Sequence, residues 1–183
     1  MPHLAPPLIQ AIDLCFSRNE DRIFGPLSFH IHGGEALLIK GDNGSGKTTL
    51  LRVLAGLLSE ESGQVLLNGN SFESHVFCQH AAYLGHKHGH KAELTVMQNL
   101  RCSAQLHGNT GNTSLEGLLA ECGLAGYEDT PAGKLSAGQN KRLSLARLTT
   151  QGSVLWLMDE PYANLDLAGI AWVNALIQTH IQN

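Results

Sequence analysis

The chain has 183 residues, 43% of them apolar and 15% charged, enough to bury the core of one domain and too few for a second independent one. Its formal charge of −4, from 12 basic and 16 acidic residues, gives no support to nucleic-acid binding driven by phosphate neutralisation. No apolar run approaches the roughly 18 residues that a membrane-spanning helix needs.

In chain order, Met1 to Pro7 carry no Lys or Arg ahead of a long apolar core, so no secretory signal is expected. Leu8 to Asp13 and Leu27 to His32 read as strands. The second sets Leu27, Phe29 and Ile31 against Ser28, His30 and His32, the period of a half-buried antiparallel strand. Arg18-Asn19-Glu20-Asp21 is the expected hairpin turn. His32-Gly33-Gly34 leads into Ala36 to Lys40, an apolar run expected to be a strand buried on both faces. Next comes Gly41-Asp42-Asn43-Gly44-Ser45-Gly46-Lys47-Thr48, then a helix predicted by the apolar spacing from Thr49 to Leu57. A loop at Ser59 to Gly63, a short strand over Gln64 to Gly69 and another over Ala81 to Leu84 follow.

Thr95 with Gln98 has the form of a capping box opening a helix through Leu106. The polar run Gly108 to Thr113 is a loop, and a short helix from Ser114 to Cys122 stops at Gly123. Ser136 with Gln139 makes a second capping box, starting a helix to Thr150. Its cations Lys141, Arg142 and Arg147 are expected to be those of an ordinary exposed face. Ser153 to Met158 reads as a buried strand ending in Asp159-Glu160. A last helix begins near Leu167, with Ile170, Val173, Leu176 and Ile177 at helical spacing. Cys15, Cys78, Cys102 and Cys122 form no C-x-x-C pair, which fits reduced, mostly buried thiols. The pattern is an α/β core with a mostly helical insert over about residues 86–135.

Two segments carry chemistry. Residues 41–48 fit G-x-x-x-x-G-K-[ST] without a mismatch and read as a phosphate-binding loop. Glycines at Gly41, Gly44 and Gly46 let backbone N–H groups curl round an anion, and the following helix aims its N-terminal amides, through Thr49, at the same phosphates. Lys47 is expected to reach the β- and γ-phosphates and Thr48 to ligate Mg²⁺. The second segment is the strand delivering Asp159 and Glu160 to its carboxyl end, where ligands of open α/β sheets sit. Asp159 can hold Mg²⁺ directly or through water, and Glu160 can act as base toward an attacking water.

Between them stands Leu135-Ser136-Ala137-Gly138-Gln139, and with it the chain resembles the nucleotide-binding domains of ABC transporters. That family's signature is L-S-G-G-Q, and this sequence departs from it at Ala137. The resemblance covers essentially residues 1–183 as a single P-loop NTPase domain of ABC ATPase type, with an antiparallel β subdomain and the helical insert. It implies ATP and Mg²⁺ as ligands and a head-to-tail homodimer. In that dimer Ser136, Ala137, Gly138 and Gln139 would complete the nucleotide site of the other copy, with Ala163-Asn164-Leu165-Asp166 at the interface. It further implies an integral membrane transporter subunit as partner, a peripheral place on the cytoplasmic face of the inner membrane and no nucleic acid. Phe16 is the candidate to stack on adenine, a buried core phenylalanine being the alternative. His86 falls where the family has a glutamine, and His86, His88 and His90 are expected as solvated loop histidines. The family's switch histidine lies beyond a further strand. His180 is not that residue, so the last core strand is expected to be missing.

The short single domain, Gly85-His86, Leu135 to Gln139, Gly123-Leu124-Ala125-Gly126-Tyr127-Glu128-Asp129 and Asp159-Glu160-Pro161-Tyr162 are similar to the ATP-binding subunits of cytochrome c maturation (haem export) transporters. The ATPase subunit of another small exporter and a soluble non-transport ABC ATPase remain the alternatives.

Overall fold

Hairpin chemistry sets the first half of the chain. In the computed structural model, which describes residues 8–71, 80–107 and 114–182, strand β1 (Ile9–Arg18) returns as β2 (Asp21–Ile31) through Asn19 and Glu20 at φ +51° and +70°. Both turn residues are left-handed, as a two-residue hairpin turn that matches strand twist requires. β1 also pairs antiparallel with β3 (Ser62–Leu67), and β3 with the short β4 (Asn70–Ser71), giving the order β2-β1-β3-β4. The register slips at Asp13, whose φ is +47° and whose amide is taken by the Ser28 hydroxyl at 2.9 Å. Gly63 crosses this bulge so closely that a Cβ there would lie 2.4 Å from the Asp13 carbonyl oxygen.

The sheet belongs to one of two compact units, which runs up to His80 and takes in the end of the last helix from Thr179. The second runs from Ala81 to Gln178. The first also holds helix α1 (Lys47–Leu54), which buries Leu50, Leu51, Val53 and Leu54. One expected strand is absent from it. Ala36 to Lys40 are irregular and, apart from half-buried Ile39, exposed, Leu38 at 73%. A strand buried on both faces needs ladder partners on both sides, and among the described residues no strand pairs with this run.

In the second unit β5 (Ala81–Leu84) and β6 (Leu155–Met158) run parallel, Ala81 beside Leu155 and Leu84 beside Met158. Helix α2 (Val96–Leu106) opens with the complete Thr95–Gln98 capping box. Helix α3 (Leu115–Glu121) is capped by Ser114, and α4 (Ala137–Thr149) opens with the Ser136–Gln139 box. Gly123 stops the segment after α3 at φ +73°, as expected of a left-handed C-terminal residue. Helix α5 (Leu167–Gln182) closes the chain. Two apolar clusters result. Leu143 and Ala146 join Val96, Leu100, Leu119 and Leu124, while Leu145 and Leu148 join Ala82, Leu84 and Val173. α4 therefore lies between apolar neighbours on two sides, and its expected exposed cationic face does not exist. Lys141 is buried and Arg142 and Arg147 are half-buried. The expected loop at Gly108 to Thr113 and Cys78 lie outside the described residues.

Candidate nucleotide site

The phosphate loop ends where α1 begins, Gly46 being the N-cap and Lys47 the first helical residue. Gly44 and Gly46 stand at φ +84° and +90°, a region side chains disfavour. Their surroundings differ. A Cβ on Gly46 would lie 2.8 Å from Ile23 Cγ2, whereas one on Gly44 would meet nothing within 4 Å. At Gly41 the Cβ would lie 2.7 Å from Ser45 Oγ, and the Ser45 amide closes the turn on the Asp42 carbonyl at 3.2 Å. Asn43 is exposed at the tip. Lys47 reaches back over the loop, its ammonium donating to the carbonyls of Gly41 and Asp42, both at 2.7 Å. The first turn also carries Thr48 and Thr49, at the end of a helix where backbone donors can be offered to an anion. A cradle kept open by missing side chains, a helix N-terminus and a folded-over ammonium fit a polyphosphate.

Phe16, the candidate adenine platform, is buried and stacks on Phe24 with ring centroids 6.0 Å apart. It has the surroundings of a core phenylalanine.

At the carboxyl end of β6, Asp159 is 7% exposed and its amide donates to the Leu84 carbonyl at 2.7 Å. Glu160 is exposed and held at φ +47°. A non-glycine residue in that conformation is a strained position, and it ends a strand on the carboxylate expected from sequence to act as base. The parallel register ends at Leu84 beside Met158, so the His86 loop and the acidic pair both leave the sheet at the carboxyl end of these strands. A Thr48 hydroxyl and an Asp159 carboxylate are hard oxygen donors of the kind Mg²⁺ takes singly, beside phosphate and water.

The third segment opens α4. Ser136 Oγ accepts from the Gln139 amide at 3.3 Å, and Gln139 Oε1 accepts from the Ser136 amide at 2.9 Å. The cap thus occupies one first-turn donor and leaves the amides of Ala137 and Gly138 facing outward from the helix start. Ala137 is exposed, so the methyl that replaces a signature glycine is accommodated. Gly138 has no such room, because a Cβ would lie 2.7 Å from the Asn164 carbonyl oxygen. Arg142 bridges the same region, donating to Asp166 Oδ1 at 2.5 Å and to the Cys122 carbonyl at 2.8 Å. Asp166 in turn caps α5 through the Gly169 amide at 2.8 Å. That bond and Arg142 hold its carboxyl below the usual range.

Two features were not foreseen from sequence. His86 is exposed as expected, but His88 and His90 are half-buried rather than solvated. They stack 5.3 Å apart against α4, His90 Nε2 on Asn140 Oδ1 at 2.8 Å, Ser144 Oγ on His88 Nδ1 at 3.2 Å and Arg147 on the His88 carbonyl at 3.2 Å. Burial, with Lys141 and His86 nearby, lowers the His88 pKa. Burial also lowers that of His90, against its bond to the Asn140 amide oxygen, which raises it. The second feature is Lys141, buried at 5% exposure beside the Asp159 carbonyl.

The sequence pattern described as ABC transporter matches residues 24–163. A cytochrome c biogenesis ATP-binding export protein CcmA of Xanthomonas axonopodis pv. citri is 55% identical over 98% of this chain and 84% of that protein. Proteins of the same name from Xylella fastidiosa (strain Temecula1) and Vibrio cholerae are 47% and 41% identical, over 99% and 96% of this chain and 85% and 86% of theirs. Among solved structures, an ATP-binding subunit of an ABC transporter superposes with TM-score 0.84 at 22% identity, covering 96% of this chain and 75% of that one. A putative ABC transporter ATP-binding protein from Pyrococcus furiosus gives 0.82 at 22%, covering 95% and 86%. With an ABC ATPase fold and the family's sequence pattern over most of its length, the chain belongs to the ABC transporter family, in the group of cytochrome c biogenesis ATP-binding export proteins.

Proposed function

We propose that the chain is the ATP-hydrolysing subunit of a haem exporter serving cytochrome c biogenesis. The observation that carries this is a phosphate loop with left-handed glycines opening onto α1, in a chain 55% identical over 98% of its length to a protein named for that process. Lys47 exchanges its two carbonyl bonds for phosphate oxygens. The amides from Gly41 to Thr49 cradle the same anion. Thr48 and Asp159 would hold Mg²⁺, which would supply neutralisation of charge on the phosphates. Glu160 takes the proton of the attacking water. Ser136, Ala137, Gly138 and Gln139 offer their helix start to the nucleotide of a second copy, so the working form is a homodimer. Its partner is a CcmB-like integral membrane subunit, and the protein is peripheral on the cytoplasmic face of the inner membrane. Among the described residues no helix is long and apolar enough to cross a membrane.

The test is ATP hydrolysis by the chain co-expressed with its membrane subunit. Turnover should vanish with Lys47→Ala. Glu160→Gln should keep ATP binding and lose hydrolysis. Turnover indifferent to Lys47→Ala overturns the loop assignment, and turnover retained by Glu160→Gln overturns the base. Cells carrying only Lys47→Ala should also lose haem-attached c-type cytochromes, and unchanged cytochromes overturn the export assignment.

A further inference from the structure

Lys141 lies in the second turn of α4, 5% exposed. An ammonium has three donors and no acceptor, and burial penalises its charge unless it is bonded and faced by carboxylates. Burial indeed pulls its pKa down, and the carboxylates of Asp159 and Glu160 push it back up. The bond it makes is to the Asp159 carbonyl, at 3.4 Å. That carbonyl belongs to the peptide whose N–H is Glu160's.

Glu160 stands at φ +47°, and a side chain persists in that region when its surroundings over-determine it. The restraints are visible. The Asp159 amide is tied to the Leu84 carbonyl of β5 at 2.7 Å, the Glu160 carbonyl accepts from the Ala163 amide at 3.2 Å, and the intervening carbonyl faces Lys141 on α4.

We propose that Lys141 is a positioning residue for the Asp159–Glu160 pair, its buried ammonium fixing the peptide between them and so the direction of the Glu160 carboxylate. This rests on Glu160 being the base of the reaction proposed above. Lys141 touches no substrate, and a residue acting only through another should change kcat and leave ATP binding alone.

The experiment compares Lys141→Met, which keeps length and removes the donor, with Lys141→Arg, which keeps both charge and donor. It is run on the whole chain with its membrane subunit, with melting temperature, kcat and KM for ATP, and carbonyl and amide resonances of Asp159 and Glu160 as readouts. Lys141→Met removes a buried charge, so its melting temperature should hold or rise. Its kcat should fall about tenfold to a hundredfold while KM stays within about twofold. Lys141→Arg should restore kcat to within about threefold of wild type. The Asp159 carbonyl and Glu160 amide resonances should move in Lys141→Met more than those of the rest of β6. Wild-type kcat in Lys141→Met overturns the proposal, as does a loss that follows melting temperature or is not recovered by arginine. If the wild-type chain does not turn over, the ATPase reading fails by itself. The resonances then decide, and an unmoved Asp159 carbonyl overturns the role of Lys141.

Discussion

Gly46→Ala separates two reasons for a glycine in the phosphate loop. At φ +90° the backbone term for an L side chain is about 1–2 kcal/mol. The new Cβ would also sit 2.8 Å from Ile23 Cγ2 and 3.3 Å from the Ile23 carbonyl, and crowding of this kind costs about 1–3 kcal/mol. If the whole penalty falls on the loop conformation that binds phosphate, the sum of roughly 2–5 kcal/mol weakens ATP binding about 30-fold to a few thousandfold. Gly44→Ala carries only the backbone term, because nothing lies within 4 Å of its Cβ, and should cost about 5- to 30-fold. The assay is titration with a fluorescent ATP analogue, extended to Ile23→Ala and to the Gly46→Ala, Ile23→Ala pair. Removing Cγ2 should return about tenfold of the lost affinity, measured as a coupling in the double-mutant cycle. Equal effects of the two glycine changes, or zero coupling to Ile23, would refute the reasoning.

Stability should also respond to pH through His88 and His90. Both have folded-state pKa values below the 6.5 of the free side chain, so between the two values the unfolded chain holds more protons. Their contribution is complete above pH 6.5 and is lost as pH falls through 6.5 toward the folded values. Urea midpoints at several pH values should show this, and the pair His88→Gln, His90→Gln should flatten the slope. Gly138→Ala forces a Cβ to 2.7 Å from the Asn164 carbonyl, an overpacking of about 1–3 kcal/mol seen as a lower melting temperature. Ala137→Gly, at an exposed first-turn position, should cost no more than about 1 kcal/mol, and the reverse order would contradict the packing described. Burial pushes the Cys122 thiol up to about 11, so iodoacetamide at mildly alkaline pH should label exposed Cys102 well before Cys122. Equal labelling rates would place Cys122 elsewhere.

What was legible in the sequence was chemistry between near neighbours. Thr95 and Gln98, Ser136 and Gln139, Asn19 and Glu20, and Gly123 each act within four residues, and each element they delimit stands where spacing put it. Ala36 to Lys40 failed because a run of Ala, Leu, Leu and Ile states only that burial would be favourable. Burial itself is supplied by partner strands, and Leu37 and Leu38 have none among the described residues. The clamp on His88 and His90 was hidden for a related reason, its partners Asn140, Ser144 and Arg147 being brought close by the fold alone. Lys141 was different, since a signal existed. Leu143, Leu145, Ala146 and Leu148 are too many for one stripe and mark a helix with apolar neighbours on more than one side. In such a helix a lysine is a buried lysine.

That enclosure explains how α4 can serve several loops at once. Its start is capped by Ser136 and packs Gly138 against Asn164. Asn140, Ser144 and Arg147, spaced about one turn apart, hold the histidine loop that follows β5. Lys141, on the adjoining row, meets the end of β6, and Arg142, one position on, ties Asp166 and the end of α3. A residue step of about 100° separates these rows, so rotating the helix to improve one contact breaks the others. The helix start that carries the signature segment and the two strand-end loops are therefore fixed to one rigid element. A change that loosens one row, as Lys141→Met does, acts locally because the other rows still hold the helix in place. For this reason a loss of kcat without a loss of melting temperature is the expected signature of a positioning contact on α4, and a loss of both is the signature of Leu143 or Leu145, whose side chains fill its two apolar faces.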